Sequence, residues 1–159
     1  MSNLARRGSA WARVKRNNYN REYNSMKKHL LAVLAYVVAT FGTQAVSHFA
    51  VNAQHYASVT YLRKEPIFAF GVLVMFIQGS VLAYLYTQAV GSVRSIAGAV
   101  KFAWLAGAFL VSYIALGEAA KYSVPAVVSW IGVETIAGIV QFTIYGVLLG
   151  LVYRDRESG

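Results

Sequence analysis

The run VPAVVSWIGVETIAGIVQFTIYGVLLGLV, residues 124–152, decides the fold class of this chain. Only one side chain in it carries a charge, that of Glu134. A helix needs about 20 mostly apolar residues to cross the hydrocarbon core of a bilayer, because each residue adds about 1.5 Å. The run is therefore predicted to be a membrane-spanning helix.

Three more apolar runs of sufficient length precede this one, namely Leu30 to Val51, Ile67 to Ala89 and Ala97 to Leu116. Hydrophobic residues make up 57% of the chain and charged residues 13%, so too little polar chain remains to cover four buried helices. We predict an all-α integral membrane four-helix bundle. Its parts are a basic juxtamembrane N-terminal arm (1–28), a four-transmembrane-helix domain (29–153) and a short tail (154–159).

The distribution of Lys and Arg predicts the orientation of the bundle. Twelve of the 15 basic residues lie in the N-terminal arm, around the second connection or at the C-terminal end, and three lie in the first and third connections. Short flanks rich in Lys and Arg stay in the cytoplasm, so both termini are predicted to be cytoplasmic. A bacterial inner membrane is the expected location. A signal peptide fits less well because the arm is long, and a mitochondrial transit peptide is the other alternative.

The net charge of +9 lies mainly in the N-terminal arm. Each basic residue near anionic headgroups contributes about 1 kcal/mol of attraction, so the expected partner is the surface of a lipid bilayer and not nucleic acid. Tyr19, Tyr23, Met26 and Leu30 recur at helical spacing in the arm. Two alternatives stay open for it, a helix along the membrane interface and a disordered tail.

A short sequence pattern occurs twice. Val46 to Ala50 reads VSHFA and Val111 to Ala115 reads VSYIA, and each is followed by a proline, Pro66 or Pro125, before the next span. The repeat predicts two tandem helical hairpins that run in the same direction, with each proline in the first turn of a helix.

Polar residues within or beside the spans are the candidate site, since polar groups at bilayer depth usually face the bundle interior. The ligand-binding candidates are His48, Asn52, His55, Gln78, Glu118, Glu134 and Gln141. Glu134, Gly138, Gln141 and Tyr145 are spaced to share one helix face. We expect an outward-facing intramembrane site that binds or transports a small ligand or ion.

Other interpretations of the same residues remain. Interhelical hydrogen bonds with a purely structural role are one, and an accessory or assembly subunit of a larger membrane complex is another. A membrane-embedded enzyme using Glu118, Glu134 and His48 is less favoured. No metal site is expected, because His48 and His55 are about 10.5 Å apart along a continuous helix and the chain has no cysteine. The sequence identifies no cofactor.

Small residues recur every four positions on the third and fourth spans, as Ala99, Ala103, Gly107 and as Gly146, Gly150. Such spacing lets helix backbones approach closely, within the bundle or in a homodimer. Trp130 and Tyr56 lie near span ends and are predicted to belong to an interfacial aromatic belt.

Several short stretches resemble small four-helix bacterial integral membrane proteins of unknown function. They are Ser47-His48-Phe49, Asn52 to Tyr56, Glu65-Pro66, Gln78-Gly79 and the pattern from Gly117 through Glu118 to Lys121 and Tyr122. The resemblance covers residues 30–153. It implies a four-helix bundle and no particular activity.

Overall fold

The computed structural model describes residues 2–60, 62–63, 65–89 and 95–154, with the backbone alone for 2–12. These residues form helices and connections without a strand. The helices are α1 (Ser2–Val46), α2 (Ala53–Ala57), α3 (Phe68–Ala89), α4 (Ile96–Ser112), α5 (Ala119–Lys121) and α6 (Val127–Tyr153). Two π-helical segments, Ser47–Val51 and Tyr113–Glu118, continue α1 and α4.

The basic arm is part of the first helix. α1 has 45 residues and is therefore about 68 Å long, far more than one span requires. The alternative of a disordered tail is wrong, since the chain is helical from Ser2 onward. Most of the predicted tail, residues 155–159, and the basic residues Lys64, Arg94 and Arg156 lie outside the described residues.

Four helical stretches are long and apolar enough to cross a membrane, as predicted; they are Arg13–Val51, Phe68–Ala89, Ile96–Lys121 and Val127–Tyr153. The third is longer than expected because its π-helical segment carries the helix past Leu116, so Glu118 lies inside it. The prediction that the prolines lie in the first helical turn is wrong, since each lies two positions before the first helical residue. Ile67 and Ala126 precede the first helical residues, so Pro66 and Pro125 lie just outside the helices.

The helices pack in the order α3, α1, α6, α4, with α6 in contact with both α1 and α4. The contact between α4 and α6 is close, as the small residues predict. Ala99 and Ala103 are fully buried, and a methyl group added at Gly146 or Gly150 would lie 2.7 Å from the Cα of Val100 or Ile96. We call this contact the α4–α6 seam.

The two hairpins are alike in local structure but not in packing. In each, a long helix passes into a π-helical segment, a short helix and a proline-containing connection before the second long helix begins. A symmetric pair of hairpins would bring α3 against α4 as closely as α1 lies against α6. Instead α3 and α4 barely touch. The resulting space between them is the α3–α4 gap.

Candidate functional site

A cavity of about 450 Å³ lies among α1, α3, α6 and the end of α4, and it reaches into the α3–α4 gap. Most of its wall is apolar, from side chains such as Phe68, Met75 and Phe142. Four of the seven predicted site residues also line it, namely His48, Gln78, Glu134 and Gln141. The helices therefore bring these four together.

Glu134 is the acid of this cavity. Its side chain is 6% exposed, and Gly138, Gln141 and Tyr145 are buried along the same face of α6. The structure thus confirms the face that the helical spacing predicts. Gly138 brings α4 close at this level, since a methyl group added there would clash with the side chain of Val111.

One oxygen of Glu134 is held by a residue that the sequence did not single out for this role. The phenol of Tyr56 donates a hydrogen bond of 2.7 Å to Glu134 Oε1, and its oxygen lies 3.5 Å from Ser47 Oγ. Asn52 Nδ2 in turn donates to Ser47 Oγ at 3.0 Å. Burial raises the pKa of the Tyr56 phenol, so the phenol keeps the proton that it donates.

The change of helix type after Val46 positions these groups. The amide of Asn52 donates to the carbonyl of Ser47, five residues earlier, and the chain leaves the helix at Asn52 before α2 begins. This break turns Tyr56 back over the end of the bundle, where its ring stacks on His48 with centroids 3.6 Å apart. π-helical segments are rare and frequently occur at functional sites.

A second polar cluster joins α1, α3 and α6 at residues that precede the break in α1. Gln44 Nε2 donates to Gln141 Oε1 at 3.0 Å, and Gln141 Nε2 donates to Thr40 Oγ1 at 3.1 Å. On the α3 side, the Tyr36 hydroxyl donates to Gln78 Oε1 at 2.7 Å. These bonds join α1 to α6 and to α3, and they leave the remaining cavity wall apolar.

The other three predicted residues do not line the cavity. Asn52 acts through Ser47, as described above. His55 is half-buried at the outer end, with Nδ1 3.4 Å from Ser129 Oγ and its ring against that of Trp130. Glu118 is half-buried at the end of the π-helical segment that continues α4, within Coulombic range of Glu134 and Lys121, but it does not line the cavity.

His48 and His55 do not form a metal site in the described part of the chain. A break does separate them, and both rings contact Tyr56, His48 on its face and His55 at its edge. No group of three His, Cys, Asp or Glu side chains among the described residues could hold a metal ion.

Sequence reasoning missed part of the site. Tyr56 and Trp130, which the sequence favours for an interfacial belt, are both buried among the helices, and the Trp130 indole donates to the carbonyl of Ile114 at 3.3 Å. Tyr36 and Thr40 were also missed, whereas Gln44 belongs to the polar stripe that the sequence shows on the first helix with His48 and Asn52. The four-residue spacing of Tyr36, Thr40 and Gln44 puts them on one face of α1, and that signal could have identified the first two.

No protein-family model, curated protein or solved structure matches this chain. The resemblance to small four-helix bacterial membrane proteins therefore stays a prediction. What the arrangement can do follows from its chemistry. An apolar cavity lined by one carboxylate and four amide or imidazole groups suits a small molecule that is mostly apolar and has one polar end.

Proposed function

We propose that this chain is a multi-pass protein of a bacterial inner membrane, with both termini in the cytoplasm, and that it binds a small amphiphilic ligand. The ligand lies in the cavity beside the α3–α4 gap, with its polar group toward Glu134. The chain would either bind this ligand or also transport it across the membrane.

Membrane insertion is supported by the outer surface of the helices. Large apolar side chains point outward along all four, with exposed fractions of 86% for Val128, 79% for Phe109 and 66% for Phe70. A protein dissolved in water rarely exposes apolar surface so continuously. A hydrocarbon environment removes that cost, and the predominance of Lys and Arg near one end of the bundle favours cytoplasmic termini.

Glu134 is the observation that carries the ligand proposal. Tyr56 is the donor to its Oε1, and Oε2 accepts no hydrogen bond from another described residue although the side chain lines the cavity. A buried carboxylate is stabilised by every donor that it gains. A ligand with an ammonium, amide or hydroxyl group would supply that donor, and its apolar part would fill the space between Met75 and Phe142.

The volume is consistent with this class of ligand. About 450 Å³ falls in the range of small-molecule pockets and holds a body of one or two rings or a short alkyl chain. The gap between α3 and α4 gives such a molecule a path into the cavity from the hydrocarbon core of the bilayer. A fully hydrated ion would not gain from the apolar wall.

The test is a thermal-shift measurement on the protein purified in mild detergent. Benzylamine is the probe and benzyl alcohol its neutral counterpart, and Glu134→Gln is compared with Glu118→Gln. We expect benzylamine to stabilise the wild type and Glu118→Gln more than benzyl alcohol does, and Glu134→Gln to lose this difference. Equal responses of the two variants would contradict the assignment of Glu134.

Orientation is tested separately, and the absence of cysteine from the sequence makes this straightforward. Ser9→Cys and Ser58→Cys are labelled in intact spheroplasts with a membrane-impermeant maleimide. The topology predicts that only Ser58→Cys reacts before lysis. Reaction of Ser9→Cys in intact spheroplasts would overturn it.

An accessory subunit is the main alternative, and the position of Glu118 gives an enzyme using Glu118 and Glu134 less support. An acid–base pair of Glu118 and Glu134 needs both carboxylates at a common point, and Glu118 does not line the cavity. If no amine changes the stability of the wild type, copurification of a partner complex under native conditions would support the accessory role.

A further inference from the structure

A second groove lies at the other end of the bundle, beside the basic arm. It measures about 980 Å³ and is formed by residues 17–30 of α1 together with the ends of α3 and α6. Under the proposed topology this end is the cytoplasmic surface of the membrane. The groove has no part in the ligand cavity, which lies near the opposite ends of the same helices.

The α1 side of this groove is cationic and rich in amides. Asn17, Arg21, Asn24 and Lys28 are separated by four, three and four residues, so they form one face of the helix, and all four line the groove. His29 lies beside them. No acidic side chain lines the groove within the described part of the chain, so its charge is positive.

The groove changes character toward the span. Leu30 lines it next to Lys28 and His29, with Tyr84 of α3 on the opposite wall. These two side chains are largely exposed, at 68% and 58%. Cationic and amide donors at one level, with an apolar and an aromatic side chain directly below, match the headgroup and first acyl carbons of a lipid.

We propose that this groove binds one anionic phospholipid. Its phosphate lies between Arg21 and Lys28, the amides of Asn17 and Asn24 contact the headgroup hydroxyls, and its acyl chains follow Leu30 and Tyr84. Arg21 and Lys28 are about 10.5 Å apart along the helix, a distance that two long side chains can close around one glycerol-phosphate headgroup. The sequence predicts that the whole basic arm is attracted to anionic headgroups, and the groove assigns part of that attraction to one lipid-binding site.

The apolar lower part is what favours a lipid over a soluble phosphate. A free anion would use Arg21 and Lys28 but would gain nothing from Leu30 and Tyr84. The inference rests on the proposed membrane insertion and is independent of the amphiphile cavity, so Glu134→Gln is expected to leave lipid binding unchanged.

The test counts lipids bound to the purified full chain by native mass spectrometry. Phosphatidylglycerol is compared with phosphatidylcholine at equal concentration. The groove variant is Arg21→Gln/Lys28→Gln, and the matched control Arg13→Gln/Lys15→Gln removes the same charge from α1 outside the groove. We expect one tightly bound phosphatidylglycerol on the wild type and the control, and binding about tenfold weaker in the groove variant.

A conservative variant guards against a folding defect. Arg21→Lys/Lys28→Arg keeps the charge and is expected to restore phosphatidylglycerol binding. The proposal is overturned if the groove and control variants lose binding equally, or if phosphatidylcholine binds as tightly as phosphatidylglycerol. Displacement of the bound lipid by glycerol 3-phosphate at equal concentration would overturn the lipid as occupant and assign the groove to a soluble phosphate.

Discussion

Helix α4 packs closely against α6, the helix that follows it, but barely touches α3, the helix that precedes it. Against α6 it forms the α4–α6 seam, where Gly146 and Gly150 allow backbone contact and Ala99 and Ala103 are fully buried. Toward α3 it leaves the α3–α4 gap. The cavity lined by Glu134 and Gln78 reaches into this gap. The comparison indicates that the seam supplies stability and that the gap is available for a ligand.

The distribution of polar groups agrees with this division. The described hydrogen bonds between side chains of α1 and the other long helices concentrate around the cavity, through Tyr36, Gln44 and Gln141. Interhelical hydrogen bonds in membranes contribute only about 0.6 to 2 kcal/mol each, so close packing must provide much of the rest. Variants on the two sides of α4 should therefore behave differently.

The largest effect is expected in the seam. Gly146→Val would place its Cβ 2.7 Å from the Cα of Val100, so the helices must separate, at a cost of about 3 kcal/mol. The control is Gly132→Val on the same helix, where an added methyl group meets nothing within 4 Å. Unfolding in detergent measures both. Equal losses would mean that the seam is not where α4 and α6 pack.

Tyr56→Phe should have the next largest effect. The substitution leaves Glu134 Oε1 without its donor in a buried position, which costs about 1 to 2 kcal/mol of unfolding free energy. A double-mutant cycle with Glu134→Met isolates the pair. We expect a coupling energy of about 1 kcal/mol, and strict additivity of the two substitutions would argue against the bond.

His48→Ala tests how much the ring stack of His48 and Tyr56 stabilises the fold at the break after α1. The stacked pair of His48 and Tyr56 contributes about 1 kcal/mol, and its loss should lower the unfolding temperature less than Tyr56→Phe does. His48→Phe keeps a ring in the stack and serves as the control. A larger loss for His48→Phe than for His48→Ala would show that the ring contact is not the stabilising element.

The smallest effect should have the opposite sign. The Tyr145 hydroxyl is buried and has no hydrogen-bond partner among the described residues, so Tyr145→Phe should raise the unfolding free energy by about 0.5 kcal/mol. Tyr145 and Tyr56 thus form a matched pair of buried phenols, one unpartnered and one hydrogen-bonded. Destabilisation by Tyr145→Phe would reveal a bound water at this hydroxyl.

The sequence predicted the four helices because each is a long apolar run, a signal that does not depend on tertiary contacts. Small residues at four-residue spacing predicted close helix approach on the third and fourth spans, but they left open whether it lies within the bundle or in a homodimer. The buried face of α6 with Glu134 and Gln141 followed from helical periodicity in the same way. These features are local, so they can be read from a single segment.

The missed features all depend on contacts between segments. Tyr56 looks like an interfacial aromatic until the π-helical break turns it onto Glu134, and no pattern at Ser47–Val51 announces that break. The repeat predicted symmetric hairpins, but packing of α1 against α6 leaves no equivalent contact for α3 and α4. The cavity arises from that asymmetry, which local sequence does not encode.

Filling the cavity with a side chain is the most direct test of whether the cavity holds the ligand. Gly71 lines the cavity, and a methyl group added there has no described residue within 4 Å, so Gly71→Phe can place a ring in the cavity without displacing a helix. Gly132→Phe is the control, because that position is equally open and does not line the cavity. We expect calorimetry to show that benzylamine binding is lost in Gly71→Phe and retained in Gly132→Phe, while both variants stay folded. Undiminished binding to folded Gly71→Phe would contradict it.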